Sequence, residues 1–187
     1  MKFNPVIVKA LIQSPWGPLV LAATPAGLAG VFFDDQRHLP ANLSQWPTLT
    51  SVDDHPVLAQ TARELREYFA GQRTAFGLPL DLSGGTPFQQ SVWQALITIP
   101  CGDHTSYGRL SADIGKPAAV RAVGAAVGRN PVSIIVPCHR VLGGDGSLTG
   151  YAGGLHRKTA LLTLEGVLPH RSLGATKRPD TQTGHLF

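Results

Sequence analysis

Ile134-Ile135-Val136-Pro137-Cys138-His139-Arg140-Val141, preceded by Asn130-Pro131 and followed by Gly150-Tyr151-Ala152-Gly153-Gly154, sets one thiol beside one imidazole at the end of an apolar run. The β-branched residues predict a buried strand over 132–136. Pro137 lacks an N–H and fixes φ, so the chain must turn as it leaves that strand. A thiol on a turn held by a rigid scaffold can act as a nucleophile when a neighbouring base takes its proton. The alternative is a cysteine that serves as a small buried hydrophobe. Cys101, between Ile99-Pro100 and Gly102, has no base or acid beside it in sequence and reads as structural or incidental.

Upstream of this run, 107–114 predicts a short helix with Ser106 as its cap. Gly115-Lys116-Pro117 turns the chain, and 118–128 predicts a second helix rich in Ala, Val and Gly. Two short helices joined by such a turn form a helix-turn-helix pattern. The second helix offers few side chains for reading base edges: Ala119 and Ala122 are small, and only Arg121 and Arg129 are long and basic. Small residues allow close approach to a narrow groove and its backbone, which suits sequence-independent minor-groove binding. A tightly packed core helix would show the same composition.

Further toward the N-terminus, 87–99 predicts a helix with Phe88, Val92, Trp93, Leu96 and Ile97 on one stripe, stopped by Pro100. Ser83-Gly84-Gly85 lies in a predicted linker over 80–86. Strands are predicted over 6–13, 19–23 and 28–33, an irregular stretch over 39–54, and a helix over 56–70. Downstream, 156–165 predicts a helix with Ala160, Leu161 and Leu164 inward, Val167 following, and Arg157 and Lys158 outward. The fold class is therefore α+β. A small antiparallel sheet with one helix occupies 1–83, and a mainly helical unit with the helix-turn-helix occupies 84–170. Residues 171–187 form a polar tail without periodicity, expected to be mobile.

Composition bounds the partners. The 187 residues carry a net charge of +4, and the excess is uneven. Residues 1–85 hold six Lys/Arg against seven Asp/Glu; residues 86–170 hold seven against four. A basic second half suits a polyanion, as would a solvated face without a partner. Two cysteines are too few for a disulfide framework and point to a reducing compartment, here the cytoplasm. No apolar stretch has membrane-spanning length. No Cys or His pair has zinc spacing, so neither metal nor cofactor is expected.

Thr86-Pro87-Phe88-Gln89, Ile99-Pro100-Cys101-Gly102, Ser106-Tyr107, Ala122-Val123-Gly124, Asn130-Pro131, Pro137-Cys138-His139-Arg140 and Leu164-Glu165-Gly166 together resemble the O6-alkylguanine-DNA alkyltransferases. Leu65 to Gly71 is similar to the bacterial single-function branch of that family. The resemblance implies a monomeric DNA repair protein with a ribonuclease H-like N-terminal domain. Such a protein flips O6-alkylguanine, and O4-alkylthymine as well, from duplex DNA through the minor groove. It then transfers the alkyl group irreversibly to its own cysteine. By the same resemblance Cys138 is the acceptor, His139 relays the thiol proton through a water, and Glu165 orients His139. Tyr107 helps rotate the nucleotide and donates to N3 of the departing guanine, while Arg121 fills the gap in the base stack. Asn130 ties the DNA-reading helix to the active-site turn. Pro137, Val141, Tyr151 and Ala152 belong to the guanine pocket, with the carbonyls of Cys138 and Val141 as acceptors for the exocyclic amine. Ala152 stands where several relatives carry Ser. Two competing readings are a lesion-binding module without transfer and a Cys-His hydrolase with an oxyanion hole.

Overall fold

The computed structural model describes residues 1, 3 and 6–169. The expected tail, 171–187, lies outside the described residues.

Three antiparallel strands open the fold: β1 (Val8–Ile12), β2 (Leu19–Thr24) and β3 (Gly27–Phe33), in the order β1-β2-β3. β2 and β3 are almost wholly buried, so alternation gives way to a continuous apolar run. Both outer edges of the sheet are covered. Lys9 of β1 pairs with the segment at Thr48; Leu28 and Val31 of β3 pair with Leu80 and Val132. The stretch 39–54 contains two single 3-10 turns, Leu43–Gln45 and Val52–Asp54. Helix α1 (Pro56–Phe69) lays Leu58, Thr61, Leu65 and Tyr68 against the sheet.

The segment expected to be a linker is fixed in place. Leu82 is buried, Asp81 accepts a 2.6 Å hydrogen bond from Thr24 Oγ1, and the Asp81 N–H donates to the Leu28 carbonyl. Helix α2 (Pro87–Ile97) starts from a capping box in which Thr86 and Gln89 bond reciprocally. Its apolar stripe omits Ile97, which is exposed at the last turn. A two-residue strand, β4 (Thr105–Ser106), leads into α3 (Tyr107–Asp113), where Ser106 Oγ accepts from Arg109 N as the cap. The second helix of the pair begins as a 3-10 turn, Pro117–Ala119, and continues as α4 (Val120–Val127). In that first turn Ala119 N donates to Lys116 O, three residues back, at 2.8 Å. Trp93 of α2 is fully buried, and its Nε1 donates to the Ala126 carbonyl of α4 at 2.9 Å.

The strand expected over 132–136 is not there. Val132 makes a single parallel bridge to Val31, and the chain then coils through tight turns. Ile134 sits at φ +74°, a strained position for a β-branched side chain. Pro137 at φ −84°, ψ 63° is the centre of an inverse γ-turn in which Cys138 N donates to Val136 O at 2.8 Å. Residues 138–140 form one 3-10 turn, followed by β5 (Val141–Leu142) parallel to β4. The last helix is α5 (Leu155–Leu164). One apolar cluster runs from Leu21 and Phe33 of the sheet through Trp93 to Val123 and Leu161, so the sheet and the helices share a core.

Replacing Trp93 with Phe removes the bond to Ala126 and leaves a void between α2 and α4. We expect a loss of about 2 kcal/mol in urea unfolding at an unchanged slope. A loss below ~0.5 kcal/mol would show that Trp93 does not fasten the two helices.

Candidate functional site

Asn130, just past α4, organises the turn that carries Cys138. It is buried, its Oδ1 accepts from Val132 N at 3.0 Å, and its Nδ2 donates to Val136 O at 2.7 Å. The same amide nitrogen lies 3.1 Å from Cys138 Sγ as a donor. One amide thus fixes the end of the helix pair, the tight turn and the sulfur. Burial raises the Cys138 thiol above its ordinary pKa, opposed by the Asn130 bond and the positive charge of Lys158. At neutral pH the resting group is a thiol.

His139 is 0% exposed, and its Nε2 lies 3.0 Å from Glu165 Oε1 at the end of α5. Glu165 also accepts from Arg140 Nε at 2.9 Å, Arg140 Nη2 at 2.7 Å and Tyr68 Oη at 2.7 Å. Burial alone would raise the Glu165 carboxyl, but these donors outweigh it and hold it down at about 2. An ionised Glu165 accepts, so His139 carries its proton on Nε2. Nδ1 is then the basic nitrogen, buried and without a hydrogen-bond partner among the described residues. Burial lowers the His139 pKa, which Glu165 opposes, so the ring is neutral and able to take a proton.

Cys138 lines a cavity of about 150 Å³ together with Tyr107, Gly124, Gly128, Tyr151 and Ala152. The Tyr107 ring packs against Gly124, where an added Cβ would lie 3.7 Å from it. Burial raises the Tyr107 phenol, keeping it a donor. The Tyr151 hydroxyl is buried and unpartnered among the described residues. Arg121 and Ala122 are exposed on α4, Arg129 is exposed just past its end, and Ala119 is half-buried before it. None of the four lines the Cys138 cavity.

Asn130, Pro137 and Val141 do not line this cavity. Pro137 lines a second one, about 170 Å³, with Cys101 and Arg140. The Val141 carbonyl accepts from Lys158 Nζ at 2.6 Å, which leaves it one free lone pair. Lys158 is 0% exposed, contrary to its expected outward position. A second carbonyl, Thr149 O at 2.6 Å, completes its setting, and burial pulls the ammonium down to about 8. Cys101 is not isolated either: burial and then the Glu165 charge raise its thiol.

Several site residues escape the sequence. Arg37 and His38, from the turn after β3, line the Cys138 cavity, and nothing in their polar segment signals it. Tyr68 stood in an apolar stripe; its hydroxyl was the clue, because a buried phenol requires a partner. Arg140 adjoins His139, yet which carboxylate it meets is a matter of the fold. Among the described residues no group of His, Cys, Asp or Glu gathers where it could hold a metal ion, and no helix is long and apolar enough to cross a membrane.

Comparison with known proteins agrees over most of the described chain. Residues 7–82 match the family described as "6-O-methylguanine DNA methyltransferase, ribonuclease-like domain", and residues 87–167 match its "DNA binding domain". The methylated-DNA–protein-cysteine methyltransferase of Mycobacterium leprae is 47% identical over 154 residues, covering 82% of this chain and 89% of that one. That of Methanosarcina acetivorans is 45% identical, covering 84% and 97%. The solved O6-methylguanine methyltransferase of Mycobacterium tuberculosis superposes with a TM-score of 0.75 at 45% identity, covering 88% and 96%. A structure of Mycobacterium tuberculosis OGT in complex with DNA superposes with a TM-score of 0.76 at 46% identity, covering 85% and 92%. With identity sustained over four-fifths of the chain and family matches at both ends, this protein belongs to the methylated-DNA–protein-cysteine methyltransferases.

Proposed function

We propose that this chain repairs duplex DNA by moving an alkyl group from O6 of guanine, and from O4 of thymine, to Cys138, once per molecule. The observation that carries this reading is Cys138 at the wall of a cavity, beside a neutral His139 whose Nδ1 has no partner among the described residues and whose Nε2 is held by Glu165. The target base is turned out of the stack to enter that cavity, since O6 is otherwise shielded by its neighbours. Cys138 gives its proton through a water to His139 Nδ1. Sγ then attacks the alkyl carbon in line as the bond from that carbon to O6 breaks. Tyr107 donates a proton to N3 of the departing guanine and is reprotonated as His139 gives up its own, so guanine leaves neutral. The resulting thioether resists water, which ends the reaction after one transfer.

Exposed Arg121, Ala122 and Arg129, with half-buried Ala119, support minor-groove docking with little sequence preference: small residues approach the backbone, while arginine can occupy the vacated stack. Residues 1–83 and 84–170 are proposed as the two domains of a monomer, and two unpaired cysteines suit cytoplasmic work. Tyr151 and Ala152 form the base pocket, and the Cys138 carbonyl, with the lone pair that the Lys158 bond leaves on the Val141 carbonyl, accepts from the exocyclic amine of the guanine. Pro137 and Asn130 shape the pocket indirectly, by holding the turn.

Intact mass after incubation with excess O6-methylguanine duplex should rise by one methyl group on Cys138. Cys138→Ser should show no rise while binding the duplex within about tenfold of wild type. Unchanged wild-type mass with tight lesion binding would favour a damage-sensing module instead. Arg121→Ala should slow transfer from duplex DNA more than transfer from free O6-alkylguanine; equal losses would remove Arg121 from the stack. Glu165 has its folded pKa below its unfolded value, so its stabilisation is full above about pH 5 and is lost toward about pH 2. The urea midpoint of wild type should therefore exceed that of Glu165→Gln at neutral pH, and the gap should narrow on acidification. A gap independent of pH would mean the carboxylate charge is not what holds the network.

A further inference from the structure

Arg157 belongs to α5, one turn from the cavity wall, and nothing in the transfer chemistry uses it. It is buried, and its guanidinium joins three separate segments. Nε donates to the Trp16 carbonyl at 2.8 Å, in the turn between β1 and β2. Nη1 donates to Asp35 Oδ1 at 2.6 Å, just past β3, and to the Gly153 carbonyl at 3.0 Å. Nη2 reaches Asp35 Oδ2 at 3.3 Å, and the guanidinium carbon lies 4.1 Å above the Phe33 ring.

Gly153 follows Tyr151 and Ala152, which line the Cys138 cavity. It has no room for a side chain. A Cβ there would come within 2.9 Å of both Phe33 and Tyr151. A second tie runs parallel: Arg37 N donates to the Ala152 carbonyl at 3.0 Å. The cavity wall is thus fastened to the N-terminal sheet at two successive carbonyls.

We propose that Arg157 is a positioning residue through which the N-terminal sheet sets the geometry of the alkylguanine pocket, by clamping the Gly153 carbonyl to Asp35 and Trp16. The proposal rests on the transfer reading given above. An arginine suits the task because its planar fork holds a carboxylate and two carbonyls in one orientation, which a lysine cannot do. The pair with Asp35 contributes little to stability, because the Asp35 side chain is 64% exposed. What Arg157 supplies is register between wall and thiol, and misplacement of a reacting group by a fraction of an ångström costs rate steeply.

The test compares wild type, Arg157→Gln and Asp35→Asn as full chains. Alkylation by free O6-benzylguanine is followed across its concentration range, and alkylation of Cys138 by iodoacetamide, which needs no pocket, runs beside it. In Arg157→Gln the half-saturating concentration of free base should rise about tenfold, with a smaller fall in limiting rate and an unchanged iodoacetamide rate. Asp35→Asn, at the surface, should move the half-saturating concentration in the same direction to a lesser degree, and it decides the matter if Arg157→Gln fails to fold. Unchanged saturation in the folded variants, or iodoacetamide reactivity that falls in parallel, would overturn the proposal. A wild type that reacts with iodoacetamide but takes no alkyl group from the free base or from O6-methylguanine duplex would overturn the transfer reading, and this proposal with it; one that takes it only from the duplex would overturn this proposal alone.

Discussion

A buried carboxylate needs donors, and Glu165, at the end of α5, obtains them from two other segments at once: Tyr68 on α1, and His139 and Arg140 on the turn before β5. Its side chain is 1% exposed. Leaving such a charge unpaired would cost several kcal/mol, so the three segments must meet where it stands. That requirement aligns the end of α5 with the turn that bears the thiol and brings α1 against both. The chemistry of the site and the packing of the N-terminal helix are two consequences of one charge.

The long elements were legible in the chain because their apolar residues repeat with a clear period. α1, α2 and the three strands fall within a few residues of where that period puts them. The active-site segment was not. Val132 to Val136 has the composition of a strand, but Asn130 supplies the carbonyl and N–H partners that a ladder would have supplied, and the segment coils instead. With a side chain serving the backbone, Ile134 can be held at an unfavourable φ and Cys138 presented at the cavity.

Charge misled in a similar way. Arg157 and Lys158 read as outward because charged side chains belong in water unless paired. Their partners are carbonyls of Trp16, Gly153, Val141 and Thr149 and the carboxylate of Asp35, all but Gly153 beyond helical reach in sequence. Cys138, His139 and Glu165 could be singled out from the motif, whereas Arg37 and His38 arrive at the cavity only through the packing of β3.

The covered edges of the small sheet carry a consequence for the life of the molecule. A bare strand edge is a template on which another chain can pair, and a three-stranded sheet has two. Here β1 is capped near Thr48, and β3 is capped at Leu80 and Val132 by the segments that lead to α2 and to the thiol. A repair protein must stay folded until its substrate appears. Its waiting form hides the surface from which aggregates grow, and loss of the active-site turn would bare that surface again.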